Sequence, residues 1–342
     1  KIRNMLMGTY EAKLWRVRAA RALGPKKAAA LFRGYQTGHL ITIPAGEVFD
    51  GPDEECVDEL VRGVSLLEGI GAGIEGGSDV LFDSLGLSAE LFGTLSQADA
   101  GSNSWVIAGN RTHSGLPLVA GDSHRGLDVP NVYYQIHLAC PEWTVSGYSI
   151  PGLPGAPHFS HTEFVGYGMT HGQADYQDLF VEKFREREGH LEYFFKDRWL
   201  VADVSVEEIS SLDGSKEEVE NFATHHGGVI AGEPRKGWGI ALSTTGTNEG
   251  TPWADAVYLA LRARSADDLE YAMREWTEPV NNFTYCDVMG NFGYRLLGRI
   301  PVRHSSSRWC PVSGWDGKHE WLGMIPFDDM PAVRNPNSGY VV

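Results

Sequence analysis

The segment from Asp99 to Gly109, DAGSNSWVIAG, sets a small polar step, Gly101-Ser102-Asn103, directly ahead of a strand-like run, Trp105 to Ala108. A serine hydroxyl attacks an amide only if a base takes its proton and preset donors meet the oxyanion that forms. No G-x-S-x-G sequence is present to put a serine on the sharp elbow of an ordinary triad. A second solution uses the nucleophile's own α-amine, whose pKa of about 8 makes it a workable base at neutral pH. Such a residue must first become a chain terminus, so the Gly101–Ser102 bond would have to be cut. Glycine on the acyl side leaves that carbonyl open to the Ser102 hydroxyl.

The elements around this step have to hold it. Residues 10 to 33 place Leu14, Val17, Ala20 and Leu23 at helical spacing, with Gly24-Pro25 as a break, and residues 53 to 68 read as a second helix. The basic cluster from Lys13 to Lys27 reads as the solvated face of the first helix. From about 70 to 101 the chain is rich in Gly, Ser and Asp and reads as a mobile surface connector. After Ser102, short β-rich runs follow at 104–108, 116–120, 132–139, 143–149, 163–170, 178–184, 238–244, 282–287 and 291–296. One helix intervenes at 266–276, opened by Ser265 as N-cap. The layout is α+β.

With 342 residues, 42% of them apolar, the chain can bury a large core. A net charge of −16 without a basic stripe argues against a nucleic-acid partner. No window approaches the roughly 18 uncharged apolar residues of a membrane helix, and the opening KIRNMLMGTYEAKLW has no signal core. Because the chain starts on Lys1 and stops at Val342 inside an apolar phrase, it reads as a piece of a longer precursor, and the missing signal says little about compartment. The four cysteines, Cys56, Cys140, Cys286 and Cys310, form no C-x-x-C pair and read as ordinary buried thiols.

GSNSWVIAG resembles the maturation junction of the penicillin acylase family of N-terminal-nucleophile (Ntn) hydrolases, which includes cephalosporin acylases and acyl-homoserine lactone acylases. The resemblance continues through LPLVAGDSHRGL, through SIPGLPGAPHFSHTEFVGYGMTHGQADYQDLFVEKF, and through GNFGY and RNPNSGYVV. It implies a four-layer αββα sandwich with two antiparallel sheets. It divides the chain into the helical end of a small subunit (1–69), a spacer ending at the cut (70–101) and the start of the large catalytic subunit (102–342). The two subunits would form a heterodimer from one precursor, in the periplasm or secreted, hydrolysing an N-acylated small molecule such as a β-lactam or an acyl-homoserine lactone.

Carried over residue by residue, the resemblance makes Ser102 nucleophile and general base. His124, 22 residues on, orients the serine. His171, in MTHGQ, supplies a backbone N–H to the oxyanion hole, and the second donor lies past Val342. Tyr10, Leu14, Arg125, Phe159 and Met169 map to the acyl pocket. Asp175, the Gln177 carbonyl and Asp178 match a structural calcium loop, whose donors suit that hard cation. The small-subunit acid that completes this loop in some members falls near Ala20 here, which is a departure.

Simpler readings stand beside these. His158 and His161, as H-x-x-H on a turn leading into a strand, do not share a face and read as structural. His225-His226 read as surface or core residues, with no third ligand in view. Two rival functions remain open at this point: a catalytically silent relative with the same fold that acts as a binding or structural protein, and a metal-dependent amidohydrolase built on the histidines.

Overall fold

The computed structural model describes residues 10–31, 54–74, 77–83, 85, 101–124, 129, 131–172, 174–248, 252–304 and 309–342. Helix α1 (Tyr10–Leu23) and helix α2 (Pro25–Leu31) meet at Gly24, whose left-handed φ of 86° ends the first as Pro25 opens the second. Helix α3 is Glu54–Gly71. Tyr10, Leu14 and Val17 of α1 pack with Leu67 of α3 against one face of a large sheet, at Leu179, Val181, Trp238, Ile240 and Leu242. Lys13 is buried on the same helix, so the basic cluster is not uniformly a solvated face. Residues 77–83, inside the expected connector, are helical and bring Leu81 and Phe82 into this core. Residues 86–100 of the connector lie outside the described residues.

The large sheet has eight strands. Its path is β10 (Asp203–Ser210), β11 (Lys216–Thr224), β12 (Gly227–Glu233), β13 (Trp238–Thr244), β7 (Gln177–Arg187), β8 (His190–Phe195) and β9 (Arg198–Val201). Strand β17 (Val312–Ser313) runs parallel along β7, between the short pair β16 (Pro301–Val302) and β18 (Gly323–Met324) in the chain. Side chains alternate across a strand, so Leu179 and Val181 face the helices while Asp178, Phe180 and Glu182 share the other side of β7. The five strands β8 to β12 were not expected. All of β10 and most of β11 are exposed, so these strands pair through their backbones without the apolar alternation that one buried face imprints.

The second sheet has seven strands, ordered β19 (Ala332–Arg334), β15 (Phe292–Leu297), β14 (Asn281–Asp287), β6 (Val165–His171), β5 (Phe159–Thr162), β4 (Thr144–Ser149) and β3 (Tyr134–Ala139). On one face, Tyr167, Met169, Phe283 and Tyr285 pack against helix α4 (Trp253–Ala260) and helix α5 (Ala266–Ala272). Ser265 caps α5 as expected, its side chain accepting from the Asp268 backbone N–H, whereas α4 is an additional helix in the body. On the other face sits a three-stranded sheet, β2 (Leu118–His124), β1 (Gly101–Ile107) and β20 (Tyr340–Val341), where Val106 meets Cys286 and Phe292. Gly168 makes this approach possible: a Cβ there would stand 2.8 Å from Ser104 Oγ. Three cysteines are buried and Cys140 is half-buried, none in a disulfide; burial pushes the Cys286 thiol up to about 11. No helix among the described residues is long and apolar enough to cross a membrane.

Candidate active site

Ser102 is the second residue of β1, paired with Ser123 of β2. Period two places Ser102, Ser104 and Val106 on one face of the strand, the face turned to the seven-stranded sheet. There Ser104 Oγ donates to Ala120 O at 3.0 Å and lies 2.5 Å from Thr284 Oγ1. Thr284 pairs with Gly168, and Cys286, which touches Val106, pairs with Gly166. Two residues back on the same face of β1, Ser102 is turned toward the end of this sheet where Asn282 pairs with Thr170 and Asn281 with His171.

The end of β6 is held firmly there. Asn282 Nδ2 donates to Thr170 Oγ1 at 2.9 Å, Tyr294 donates its hydroxyl hydrogen to Asn282 Oδ1 at 2.9 Å, and Asn281 Nδ2 donates to Thr170 O at 3.0 Å. Asn281 stands opposite His171, and Gly172 N donates to Val280 O at 2.8 Å. Antiparallel pairs alternate, so the Asn281–His171 pair is the non-bonded kind and the His171 backbone N–H points away from β14. Its imidazole shares the helix-side face with Met169. The two asparagines were missed at the sequence level, where nothing distinguishes them from other strand residues.

His124 takes a different place from the one the resemblance implies. It stands across the ladder from Gly101 on the exposed face, opposite to the Ser102 side chain. Its Nε2 lies 3.2 Å from Asn103 Nδ2 and 3.1 Å from Asp122 Oδ2. A Cβ on Gly101 would come within 3.0 Å of His124 Nδ1, so the missing side chain is what lets the imidazole pack against the Gly101 backbone. His124 thus abuts the bond before Ser102 and not the Ser102 hydroxyl.

The residues mapped to an acyl pocket do not gather. Tyr10 and Leu14 are fully buried between α1 and the eight-stranded sheet. Met169 is buried on the far side of the other sheet, under α4 and α5. Phe159 reaches the three-stranded sheet at β2, its ring filling the space a Cβ on Gly121 would occupy. Arg125 lies outside the described residues. His158 stacks on Tyr133 with ring centroids 4.6 Å apart, and His161 Nδ1 lies 3.2 Å from Thr162 O, so these two histidines play separate structural parts.

The penicillin amidase family profile matches residues 2–342. The chain belongs to the penicillin amidase family. It is 34% identical over 339 residues to the penicillin acylase 2 proenzyme of Pseudomonas sp. (strain SE83), covering 99% of this chain and 41% of that protein. It is 30% identical over 242 residues to the acyl-homoserine lactone acylase QuiP of Pseudomonas fluorescens (strain Pf0-1), covering 68% of this chain and 29% of that one. The solved structure of a thermostable penicillin G acylase from Alcaligenes faecalis matches at a TM-score of 0.61 and 23% identity, over 70% of this chain and 43% of the other. That match shows the Ntn fold, in keeping with the helices and antiparallel sheets described. The chain spans less than half the length of these relatives.

In this penicillin amidase family member the acidic turn after β6 does not fit a calcium ion. Lys13 Nζ donates to Asp178 Oδ1 and lies 3.2 Å from Asp175 Oδ2. The other Asp178 oxygen accepts from Arg303 Nε at 2.8 Å and from Trp321 Nε1 at 2.6 Å. Arg303 Nη1 also donates to the Asp175 carbonyl at 2.9 Å, while the Gln177 side-chain oxygen accepts from the Tyr10 N–H at 3.5 Å. Burial would raise the Asp178 carboxyl, but the charges of Lys13 and Arg303 overcome it and hold the group below the ordinary carboxylate range. The two carboxylates face two protein cations, which carry the same total charge as one divalent ion and occupy the carboxylate oxygens it would bind.

Proposed function

We propose that this chain carries the maturation junction and the nucleophile of an amide-cleaving acylase. The observation that supports this best is the placement of Ser102 at the start of β1, on the sheet-facing side, with side-chain-free Gly101 before it and His124 packed against that glycine. In maturation the Ser102 hydroxyl attacks the Gly101 carbonyl, the peptide C–N bond breaks as an ester forms and frees the Ser102 amine, and water then cleaves the ester to restore the hydroxyl and leave a Gly101 carboxylate. His124 acts here as a positioning residue for the scissile step.

In the mature enzyme the Ser102 amine accepts the hydroxyl proton as Oγ attacks the substrate amide. The His171 backbone N–H stabilises the oxyanion. Collapse expels the amine as an acyl-Ser102 ester forms, and water then releases the acid. The substrate class is an N-acylated small molecule such as a β-lactam or an acyl-homoserine lactone; the relatives are named for penicillin and for acyl-homoserine lactone. Small and large subunits stay together through the core shared by α1 and β7 and through Lys13 against Asp178. The periplasmic or secreted location implied by the family resemblance goes with this reading.

Intact-mass spectrometry of the expressed protein beside Ser102→Ala tests it. The wild type should give two pieces, one starting at Ser102, and the variant a single uncut chain without amidase activity. A wild type that hydrolyses amides while its Ser102 nitrogen stays in a peptide bond would overturn the mechanism.

A further inference from the structure

The histidine pair at the β11–β12 turn meets a third side chain of a type that can ligate a metal. Glu320 reaches it from a distant segment: its Oε1 lies 3.0 Å from His226 Nε2 and its Oε2 3.7 Å from His225 Nε2. One ligand atom from each of the three residues lies within 4.8 Å of the others. Tetrahedral zinc with bonds of about 2.0–2.1 Å needs its ligand atoms roughly 3.3 Å apart. The two spacings from Glu320 to the histidines, 3.0 and 3.7 Å, bracket that value.

Each imidazole is also held by its other nitrogen. His226 Nδ1 lies 2.7 Å from Glu182 Oε1, which also accepts the Thr224 hydroxyl at 2.8 Å. His225 Nδ1 lies 3.2 Å from the Tyr193 hydroxyl. Both His226 nitrogens face carboxylate oxygens, and an ion bound at Nε2 would take the place of the proton shared there with Glu320. A carboxylate behind a metal-binding histidine is the arrangement that fixes tautomer and ring orientation. Phe180 stacks flat on His226 at 3.7 Å between centroids, and Phe195 packs on His225 at 4.3 Å. Gly314 leaves room for the buried Glu182 carboxylate, which a Cβ there would meet at 2.3 Å.

Charge points the same way. Glu182 is wholly buried and Glu320 half-buried, and among the described residues neither has a lysine or arginine at ion-pair distance. Two carboxylates gathered without a lysine or arginine among the described residues make the cluster attractive to a bound cation.

We propose that His225, His226 and Glu320 form a binding site for a divalent transition ion of the zinc type, with Glu182 and Tyr193 as its supporting shell and one position open to solvent. Imidazole nitrogens with a carboxylate suit zinc over calcium. The ion would fasten the segment carrying Glu320 to the β11–β12 turn. Trp321, next in sequence, donates to Asp178, so the same fastening steadies the contact at the start of β7.

The test is equilibrium dialysis of untagged protein, first stripped of metal, against Zn2+, with metal content read by mass spectrometry; Co2+ loading and its visible absorption give a second readout. The expected result is one zinc per chain, a Co2+ band in the wild type, no stoichiometric Ca2+ at this site, and loss of the zinc and of the band in Glu320→Gln and His225→Gln. Glu320 and His225 are partly exposed, and circular dichroism checks that both variants fold. Absence of stoichiometric zinc from the wild type, or equal zinc in wild type and both variants, would overturn the site.

Discussion

Asp178 and Glu182 stand four residues apart on the same side of β7, and both are buried, yet the molecule treats them differently. At Asp178, α1 delivers Lys13 and the segment before β17 delivers Arg303, so the charge is balanced by the protein itself. At Glu182, the neighbouring turn delivers two imidazoles and a distant segment delivers the second carboxylate, Glu320, which leaves the balance to protons or to a bound ion. A buried charge needs a partner, and what matters is which element brings it. The difference teaches that an acidic residue on this strand does not by itself mark a cation site. Its cation can already be covalently part of the chain.

The sharpest way to break the comparison is to remove the built-in cation. Lys13→Met leaves a buried carboxylate short of a partner and should lower unfolding free energy by about 3–5 kcal/mol, read from denaturant midpoints. Pairing it with Asp178→Leu should recover part of that loss, because an apolar pair no longer strands a charge. A single-variant loss below about 1 kcal/mol would mean that the pair behaves as an exposed one and that Asp178 does not depend on Lys13.

How much of this was readable in the amino-acid order differs between the same two places. The junction at Gly101–Ser102 and the family were legible because short contiguous segments carry them. So were α1, α3 and the strands with one buried face. The charged strands β10 and β11 were not, since they bury no stripe, and Lys13 reads as solvated when only its own helix is considered. Glu320 is 94 positions from His226, and Glu182 is 44 positions from it. The pairing of β7 with β13, and of β13 with β12, brings Glu182 to His226, and β17 alongside β7 carries the segment of Glu320. His124 shows the finer limit: spacing places it on the strand beside Ser102, but pleat alternation turns its ring to the Gly101 side.

A smaller effect separates the two carboxylates by metal. Glu182→Gln keeps the shape but weakens the support of the His226 ring, and zinc affinity should fall by about 10–100-fold in a competition assay with a coloured chelator. Lys13→Met, roughly 13 Å along the strand at about 3.3 Å per residue, should shift that affinity by no more than about twofold. Equal weakening by both variants would show one coupled cluster in place of two independent ones.

The smallest effect is a slope with pH. The Asp178 carboxyl titrates lower in the folded protein than in the unfolded chain, since Lys13 and Arg303 favour its charged form over the cost of burial. Its contribution is therefore complete above the unfolded value of about 3.9 and is lost as pH falls toward the folded value. Below pH 4 this one group should cost up to about 1.4 kcal/mol per pH unit. Melting temperatures measured from pH 6 down to pH 2 should fall more steeply for the wild type than for Asp178→Asn, which has no proton to gain at that position. Parallel curves would mean that the carboxylate is not held by its cations in the folded state, and the contrast with Glu182 would lose its basis.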